Sequence, residues 1–244
     1  FKDAIDHAKR WLGEDDLPAL PRRPARPAIP DIDAEEERRV ATVLRIVREA
    51  VPIAGTPGEV YLHGRAIRPR EWPDTVRWHR HHGVVFVSSD PAGSVTAIQR
   101  VYVNADGTPR LDENGDKIKR SRGPRRGGAV HLDGDATGPL CLAEGPETAL
   151  SVWHATGYET WAALGSIASV DLTGIDRTII ICADDDARNA PSNKGLNNSI
   201  RRWRREGRTV LKVLPRKLSR RDKGDFNDAL VEEGADAVRA RIDA

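Results

Sequence analysis

The chain has 244 residues, of which 39% are hydrophobic and 31% charged, and its formal net charge at pH 7 is +2. This length allows one large domain or two small ones, and the composition is typical of a globular protein with a polar surface. We find no signal peptide and no apolar run of membrane-spanning length, which argues against a membrane role. The small net charge indicates no partner, but basic residues crowd 117–126 and 188–223. Basic segments near carboxylates favour a polyanion held beside a metal ion.

The first 32 residues are predicted to contain a helix and a linker. Residues 1–17 carry apolar side chains at helical spacing and a glycine that can end the helix. Residues 18–32 have proline at every third position, which predicts an extended polyproline II linker. A ligand for SH3-type domains is the alternative. The chain begins at Phe1 and contains no methionine, so we expect a fragment of a longer polypeptide.

Residues 33–137 are predicted to form a smaller α+β subdomain. A helix is expected at 33–50, N-capped by Asp33, with a buried stripe of Val40, Val43, Leu44 and Val47. Segments 83–88, 95–103 and 129–132 are expected to form a small antiparallel sheet.

A histidine cluster lies between the helix and these strands, at His79, His81 and His82. A metal site is one interpretation. The sequence places no acidic or cysteine partner nearby, so we expect a solvated loop instead.

From residue 138 to 244, strands and helices alternate, which predicts a parallel sheet with helices on both faces. Strands are expected at 140–143, 160–164, 177–183 and 209–214, and helices at 146–156, 194–206, 225–233 and 235–242. Cys141 and Cys182 fall within buried strands and lack CxxC spacing. We therefore expect reduced core cysteines of a cytoplasmic protein, without a zinc site or disulfide framework.

Three consecutive aspartates follow the apolar run 179–182. In a strand, Asp184 and Asp186 project to one face and Asp185 to the other. Paired carboxylates repel each other unless a cation lies between them, and open parallel sheets bind ligands at this edge. The pattern therefore predicts a magnesium site in which Asp184 and Asp186 are indispensable and Asp185 is replaceable. An acidic loop that caps the next helix is the alternative.

Further acids follow two other strands of the predicted sheet. Glu144 comes at the end of 140–143, and Asp225 opens the helix after the last strand, together with Asp228. Since the carboxyl ends of parallel strands share one edge, these side chains are expected to converge with Asp184. This convergence favours the metal site over the cap.

The segments EGPETAL, ALGS, IIICADDDARNAPSNKG and KGDFNDAL resemble the successive motifs of the Toprim domain, the shared core of bacterial-type primases, type IA and II topoisomerases and some nucleases. The resemblance covers roughly residues 139–244. It implies an α/β fold: a Toprim Rossmann-like parallel sheet with helices on both faces, preceded by a smaller α+β primase N-terminal subdomain. The loop from Asp186 to Lys194 is longer than the family's usual connection, and Asn197 and Asn198 stand where alanines are expected.

The preceding segments VYLHGRAI, GVVFVSSDPAGSVTAIQRVYV and KIKRSRGPRRGGAVHL resemble the N-terminal subdomain of Toprim primases from phages, plasmids and integrative elements. The resemblance implies a DNA primase catalytic core that makes short RNA primers on single-stranded DNA from nucleoside triphosphates. It also implies a preceding zinc-binding domain, and a replicative helicase as a possible partner. The chain itself contains no Walker A motif. A Toprim nuclease and a non-catalytic nucleic-acid-binding module are the alternatives.

In primer synthesis, the acidic and the basic candidates are expected to have different roles. Asp184, Asp186 and Asp225 are expected to bind Mg²⁺ or Mn²⁺, and Glu144 to bind metal or assist proton transfer. Nucleotide or template phosphates would be bound by basic side chains. The candidates are Arg100, Lys117, Lys119, Arg122 and Lys194, of which Arg100 and Lys119 are preferred from the resemblance. The arginines of 201–205 are expected to form a solvated face.

Overall fold

The computed structural model describes residues 32–185, 191–215 and 224–244. Residues Asp33–Ala244 belong to one compact unit. The predicted N-terminal helix at 1–17, almost all of the linker at 18–32, and Asp186 lie outside the described residues. In the part that is described, no helix is both long and apolar enough to cross a bilayer.

The first half of the described chain builds a five-stranded antiparallel sheet. Its strands, in their order across the sheet, are β1 (Val51–Pro52), β2 (Val76–His79), β3 (Gly83–Ser89), β4 (Val95–Val101) and β5 (Lys119–Arg122). Helix α1 (Ile32–Glu49) precedes them, and helix α2 (Pro57–Gly64) connects β1 to β2. Val43 and Ile46 of α1 pack against Val85 and Ile98 on one face of this sheet.

The structure corrects three details of this half. The buried stripe of α1 uses Ile46, whereas Leu44, predicted to be buried, is 40% exposed. Strand β2 contains a histidine that was predicted to lie in a loop, and strand β5 was not predicted. His79 was expected in a solvated loop, but it is a buried residue of β2 whose Nε2 lies 3.1 Å from Glu49 Oε2. Strand β5 reads KRSR and is exposed throughout, so it lacks the alternation by which strands are predicted.

The second half builds a mixed sheet in the order β10-β9-β7-β8-β6. Its strands are β6 (Val130–Leu132), β7 (Leu140–Ala143), β8 (Thr160–Ala162), β9 (Ile179–Cys182) and β10 (Val210–Val213). All neighbours are parallel except β6, which pairs antiparallel to β8. Segment 129–132 was expected in the first sheet; Ala129 does pair with Ser89 of β3, but the prediction was wrong for the rest of the segment. It is the antiparallel edge of the second sheet.

Helices cover both faces of the second sheet, as predicted. They are α3 (Pro146–Thr156), α4 (Pro191–Arg205), α5 (Phe226–Glu233) and α6 (Ala235–Ile242). Alternate residues of each strand enter different core clusters: Ile180 packs with side chains of α3, α5 and α6, and Ile179 packs with Ile200 and Trp203 of α4. This two-sided burial explains why β7 and β9 are continuous apolar runs. The predicted α/β class is confirmed.

One hydrophobic cluster reaches from the first sheet to the second. It contains Val84 and Phe86 of β3 together with Cys141 of β7 and Leu150 of α3. The cluster also includes Val101 of β4, the strand that carries Arg100, so this strand belongs to the same core as the strands that precede Glu144 and Asp184. The division of the chain into 33–137 and 138–244 stays a prediction.

Candidate functional site

Two acidic residues lie at neighbouring strand ends of the second sheet. Glu144 directly follows β7, and Asp184 follows β9 after one intervening residue. The register pairs Ala143 with Cys182, so the two strands end level with each other. The chain leaves β7 for β8 on one side and then reaches β9 on the other side. The space between β7 and β9 is therefore the switch point at which open α/β sheets bind ligands.

The third acidic segment is joined to the second by a backbone hydrogen bond. The Asp185 amide donates to the carbonyl of Gly224 at 2.9 Å, so the chain after β9 meets the residue that precedes Asp225. Asp225 N-caps α5, because its Oδ1 accepts a hydrogen bond of 2.8 Å from the Asp228 amide. The Asp228 side chain accepts in return from the Asp225 amide, which completes a capping box. Asp225 thus has a structural task in addition to its predicted metal role.

The described residues alone do not complete a metal centre. Within 32–185, 191–215 and 224–244, no group of three His, Cys, Asp or Glu side chains is arranged to hold a metal ion. Asp186, one of the predicted ligands, lies outside these ranges, in the segment between β9 and α4. The donor type does fit the expected ions, because Mg²⁺ and Mn²⁺ prefer carboxylate oxygens. Glu144, Asp184 and Asp225 stay candidates whose segments meet at one edge.

A buried carboxylate close to this edge binds two of the predicted lysines. Glu147 lies in the first turn of α3, and its side chain is only 6% exposed. Lys119 Nζ donates to its Oε2 at 2.6 Å, and Lys117 Nζ lies 3.2 Å from both oxygens. The Tyr61 hydroxyl donates to Oε1, and Arg65 Nε stands 4.0 Å from the same oxygen. We call these five residues the Glu147 cluster.

The cations keep Glu147 ionised despite its burial. Burial alone would raise the pKa of this carboxyl, but Lys119 and Lys117 outweigh it and lower the pKa to about 2. Burial lowers the pKa of Lys117, and the Glu147 carboxylate opposes that change. Burial and Glu147 raise the pKa of the Tyr61 hydroxyl, with a contribution from Asp225. The cluster therefore lies within electrostatic reach of the third acidic segment.

A buried amide connects the helices that carry the cluster. Asn227, in α5, is fully buried, and its Nδ2 donates to the Arg65 carbonyl and to Ser151 Oγ, at 2.9 Å in both cases. Ser151 lies on α3, one turn after Glu147, and Arg65 directly follows α2. Since a buried amide needs its partners, this residue fixes the spacing of α2, α3 and α5.

The preferred phosphate-binding pair, Arg100 and Lys119, is not brought together. Lys119 lies opposite Val101 in the β4–β5 register, and Arg100 lies opposite Arg120. Because successive residues of a strand point to opposite faces, Arg100 and Lys119 leave the sheet on different sides. Arg100 Nη1 instead lies 3.3 Å from His82 Nδ1.

Arg122 lies on the same face as Arg100 and lines a separate cavity of about 280 Å³. The other lining residues are Arg39, Ser121, Gly123 and Arg125. The lining thus contains three arginines and, as far as the chain is described, no carboxylate. Arg125 Nη1 also donates to the Leu164 carbonyl, just beyond β8, at 2.9 Å. This cavity is a second cationic site, which we call the arginine pocket.

Lys194, the last predicted phosphate-binding residue, is exposed in the first turn of α4. The structure thus distributes the five basic candidates over three places: the Glu147 cluster, the α1-covered face of the first sheet, and the start of α4.

Three members of the Glu147 cluster were not predicted to be functional: Tyr61, Arg65 and Glu147. An acid in the first turn of a helix is common, because it favours the positive end of the helix dipole. Glu147 therefore gives no separate signal in the sequence. Its importance becomes visible only once β5 is placed beside α3.

Comparisons with known proteins agree with this architecture. Residues 139–236 match the family model described as "Toprim domain". This part of the chain is a Toprim domain. Residues 37–132 match a model described as "Domain of unknown function (DUF7146)". A comparison with curated protein sequences found no match.

Two solved structures share the fold. The zinc-binding and RNA polymerase domains of Aquifex aeolicus primase match all of the chain with a TM-score of 0.55 and 16% identity. The chain spans 66% of that protein's length. The RNA polymerase domain of Mycobacterium tuberculosis primase DnaG matches 87% of the chain with a TM-score of 0.50 and 12% identity, over 83% of its own length. The chain thus has the fold of a Toprim primase core, and the predicted fold class is confirmed.

The depressed pKa of Glu147 predicts a specific dependence of stability on pH. The folded-state pKa is about 2 and the ordinary value is 4.5, so the stabilisation is present above pH 4.5 and is lost as pH falls toward 2. Over this window the wild type should lose about 3 kcal/mol of unfolding free energy relative to Glu147→Gln. Urea unfolding at a series of pH values measures both proteins.

Glu113→Gln is the matched control, since Glu113 is exposed in a turn. It should follow the wild type throughout. Parallel curves for the wild type and Glu147→Gln between pH 4.5 and 2 would show that the ion pairs contribute no net stability.

Proposed function

We propose that this chain is the catalytic core of a DNA primase, which makes short RNA primers on single-stranded DNA from nucleoside triphosphates. The observation that carries the proposal is the convergence of Glu144 and Asp184 at the switch point of the Toprim sheet. Lys117 and Lys119 are bound to the first turn of the helix that follows Glu144. Carboxylates for metal ions beside cations for phosphates are what nucleotidyl transfer requires.

In this reaction a 3′-hydroxyl attacks the α-phosphate of a nucleoside triphosphate, and pyrophosphate leaves. Two bound divalent ions would supply the activation of the attacking oxygen and the neutralisation of the leaving one. Asp184, Asp186 and Asp225 would hold these ions. Glu144 would act as a further ligand or accept the proton of the hydroxyl, since neighbouring carboxylates raise each other's affinity for a proton.

The cations would bind the two polyanionic substrates on different surfaces. Lys117 and Lys119 lie next to the acidic edge, which favours the triphosphate as their ligand. Arg122, in the arginine pocket, and Arg100 lie on the α1-covered face, which favours the phosphates of the template. Lys194, at the start of α4, is proposed as a further nucleotide contact, because helix N-termini accept phosphate.

A zinc-binding domain that precedes the chain and a replicative helicase are proposed partners. The Aquifex aeolicus structure contains a zinc-binding domain together with an RNA polymerase domain, which supports this arrangement. An origin in a phage, plasmid or integrative element rests on the sequence resemblance.

The aspartates after β9 provide the sharpest test of the metal proposal. Asp184→Asn should reduce primer synthesis by about 100-fold or more, because a metal ligand is removed. Asp185→Asn is the matched control and should retain activity, since its backbone amide still donates to Gly224. Labelled ribonucleotides, single-stranded DNA and Mg²⁺ or Mn²⁺ provide the assay.

The same assay separates primer synthesis from the alternatives. Shortened DNA without labelled oligomers would support a Toprim nuclease. If neither activity is found while DNA is bound, the chain is a binding module. Equal activity of Asp184→Asn and the wild type would contradict a metal role for this edge.

Template binding is expected to depend on the arginine pocket. Arg122→Ala should weaken single-stranded DNA binding, and the slope of log affinity against log salt concentration should fall by about 0.7, because one phosphate of the strand is no longer neutralised. Fluorescence anisotropy over a salt series measures this slope. Arg201→Ala, on the exposed face of α4, is the control and should keep the wild-type slope. If Arg122→Ala and Arg201→Ala give the same slope of log affinity against log salt concentration, the arginine pocket does not bind the template.

A further inference from the structure

The Glu147 cluster contains more positive than negative charge. One carboxylate faces Lys117, Lys119 and Arg65, so three cations and one anion leave two positive charges in excess. Tyr61 stays neutral, because its pKa is raised. In an ordinary structural ion pair, the positive and negative charges cancel. Among its own five residues this cluster keeps an excess of positive charge, which favours the binding of an anion.

The cations retain hydrogen-bonding capacity that Glu147 does not use. Each lysine ammonium has three hydrogen-bond donors, and Lys119 uses one of them to donate to Glu147 Oε2. The Lys119 side chain is 40% exposed, whereas Glu147 is almost fully buried. Arg65 Nε is buried and makes no hydrogen bond to any described residue. The carboxylate is therefore the buried member of this pair, and the Lys119 ammonium is its accessible member.

The cluster lies at the edge where the acids converge. Glu147 comes three residues after Glu144, in the helix turn that starts at the carboxyl end of β7. Asn227, two residues after Asp225, donates to the Arg65 carbonyl at 2.9 Å, so the third acidic segment is also close. An anion bound by the lysines would lie beside the carboxylates proposed to hold metal ions.

Glu147 is also what keeps the lysines together. Burial lowers the pKa of Lys117, Lys119 and Arg65 lower it further, and Glu147 opposes all three. Without the carboxylate, three cations would repel each other in a partly buried space. An apolar residue at position 147 would leave these partly buried cations without a counter-charge. The carboxylate therefore holds Lys117, Lys119 and Arg65 in one place, which preorganises them for a ligand.

We propose that Glu147 is a positioning residue that assembles Lys117, Lys119 and Arg65 into a preformed binding site for the polyphosphate of a nucleoside triphosphate. The nucleoside part of this assignment rests on the proposed primase function. The polyphosphate part rests on the cluster alone.

Inorganic tripolyphosphate without divalent metal is the probe, because it tests the cations apart from the acidic edge and from catalysis. In isothermal titration calorimetry, Glu147→Gln should bind it about tenfold more weakly than the wild type. Glu159→Gln is the matched control. It removes a partly buried carboxylate paired with Arg177 at the amino end of β8, the opposite edge of the same sheet, and should leave the affinity unchanged.

A pH series separates positioning from a merely structural role. Tripolyphosphate binding should be lost at high pH, where Lys117 loses its proton. Because Glu147 raises the pKa of Lys117, this alkaline limit should lie at a lower pH in Glu147→Gln than in the wild type. Glu147→Asp keeps the charge and should keep the wild-type alkaline limit. The other charged or titratable groups that face Lys117 are Lys119, Arg65 and Tyr61, and all are unchanged in these variants.

A Glu147→Gln protein with the wild-type circular dichroism spectrum, affinity and alkaline limit would overturn the proposal. If that variant does not fold, Lys119→Ala tests the proposal instead, because the exposed end of this side chain can be removed without leaving a cavity. Weaker tripolyphosphate binding by Lys119→Ala would support the site, and wild-type affinity would overturn it. Primer synthesis by the wild type is assayed separately. If the wild type makes primers and Glu147→Gln binds tripolyphosphate as the wild type does, only this inference is rejected. If the wild type makes no primers but tripolyphosphate binding depends on Glu147, only the primase proposal is rejected.

Discussion

The ionised, buried carboxylate of Glu147 is the constraint on which the arrangement of this protein depends. Such a group is stable in the interior only with cations beside it. Lys119 comes from the edge strand of the antiparallel sheet, Lys117 from the segment before it, and Tyr61 and Arg65 from helix α2 and its end. Their shared partner on α3 ties the phosphate-binding candidates of the first sheet to the acidic edge of the second. A position that is inconspicuous in the sequence therefore organises the site.

The two halves contribute different parts of one proposed chemistry. The parallel sheet places Glu144 and Asp184 level with each other at its switch point, and the Asp185–Gly224 hydrogen bond brings the Asp225 segment to them. The antiparallel sheet presents cations on two faces, which the β4–β5 register separates. One face meets the acids and suits a triphosphate, and the other contains the arginine pocket and suits a template.

The sequence predicted the second sheet well, because β7 and β9 are apolar on both faces and because glycine and proline mark the start of α3. It predicted the acidic edge for the same reason: strand ends are easy to locate. It failed at β5, since an exposed KRSR strand has neither alternation nor apolar residues, and at His79, whose partner Glu49 is distant in the chain. The role of Glu147 depends on β5, so it could not be predicted either. Whether Asp186 completes the carboxylate group lies outside the described residues.

Metal ions and a triphosphate are proposed to bind side by side at this edge. Diffraction from crystals soaked with Mn²⁺ and a non-hydrolysable nucleoside triphosphate tests it most directly. We expect anomalous manganese peaks within coordination distance of Asp184, with the triphosphate in contact with Lys119. The account would be contradicted by the absence of manganese near Asp184, or by a triphosphate bound away from Lys119.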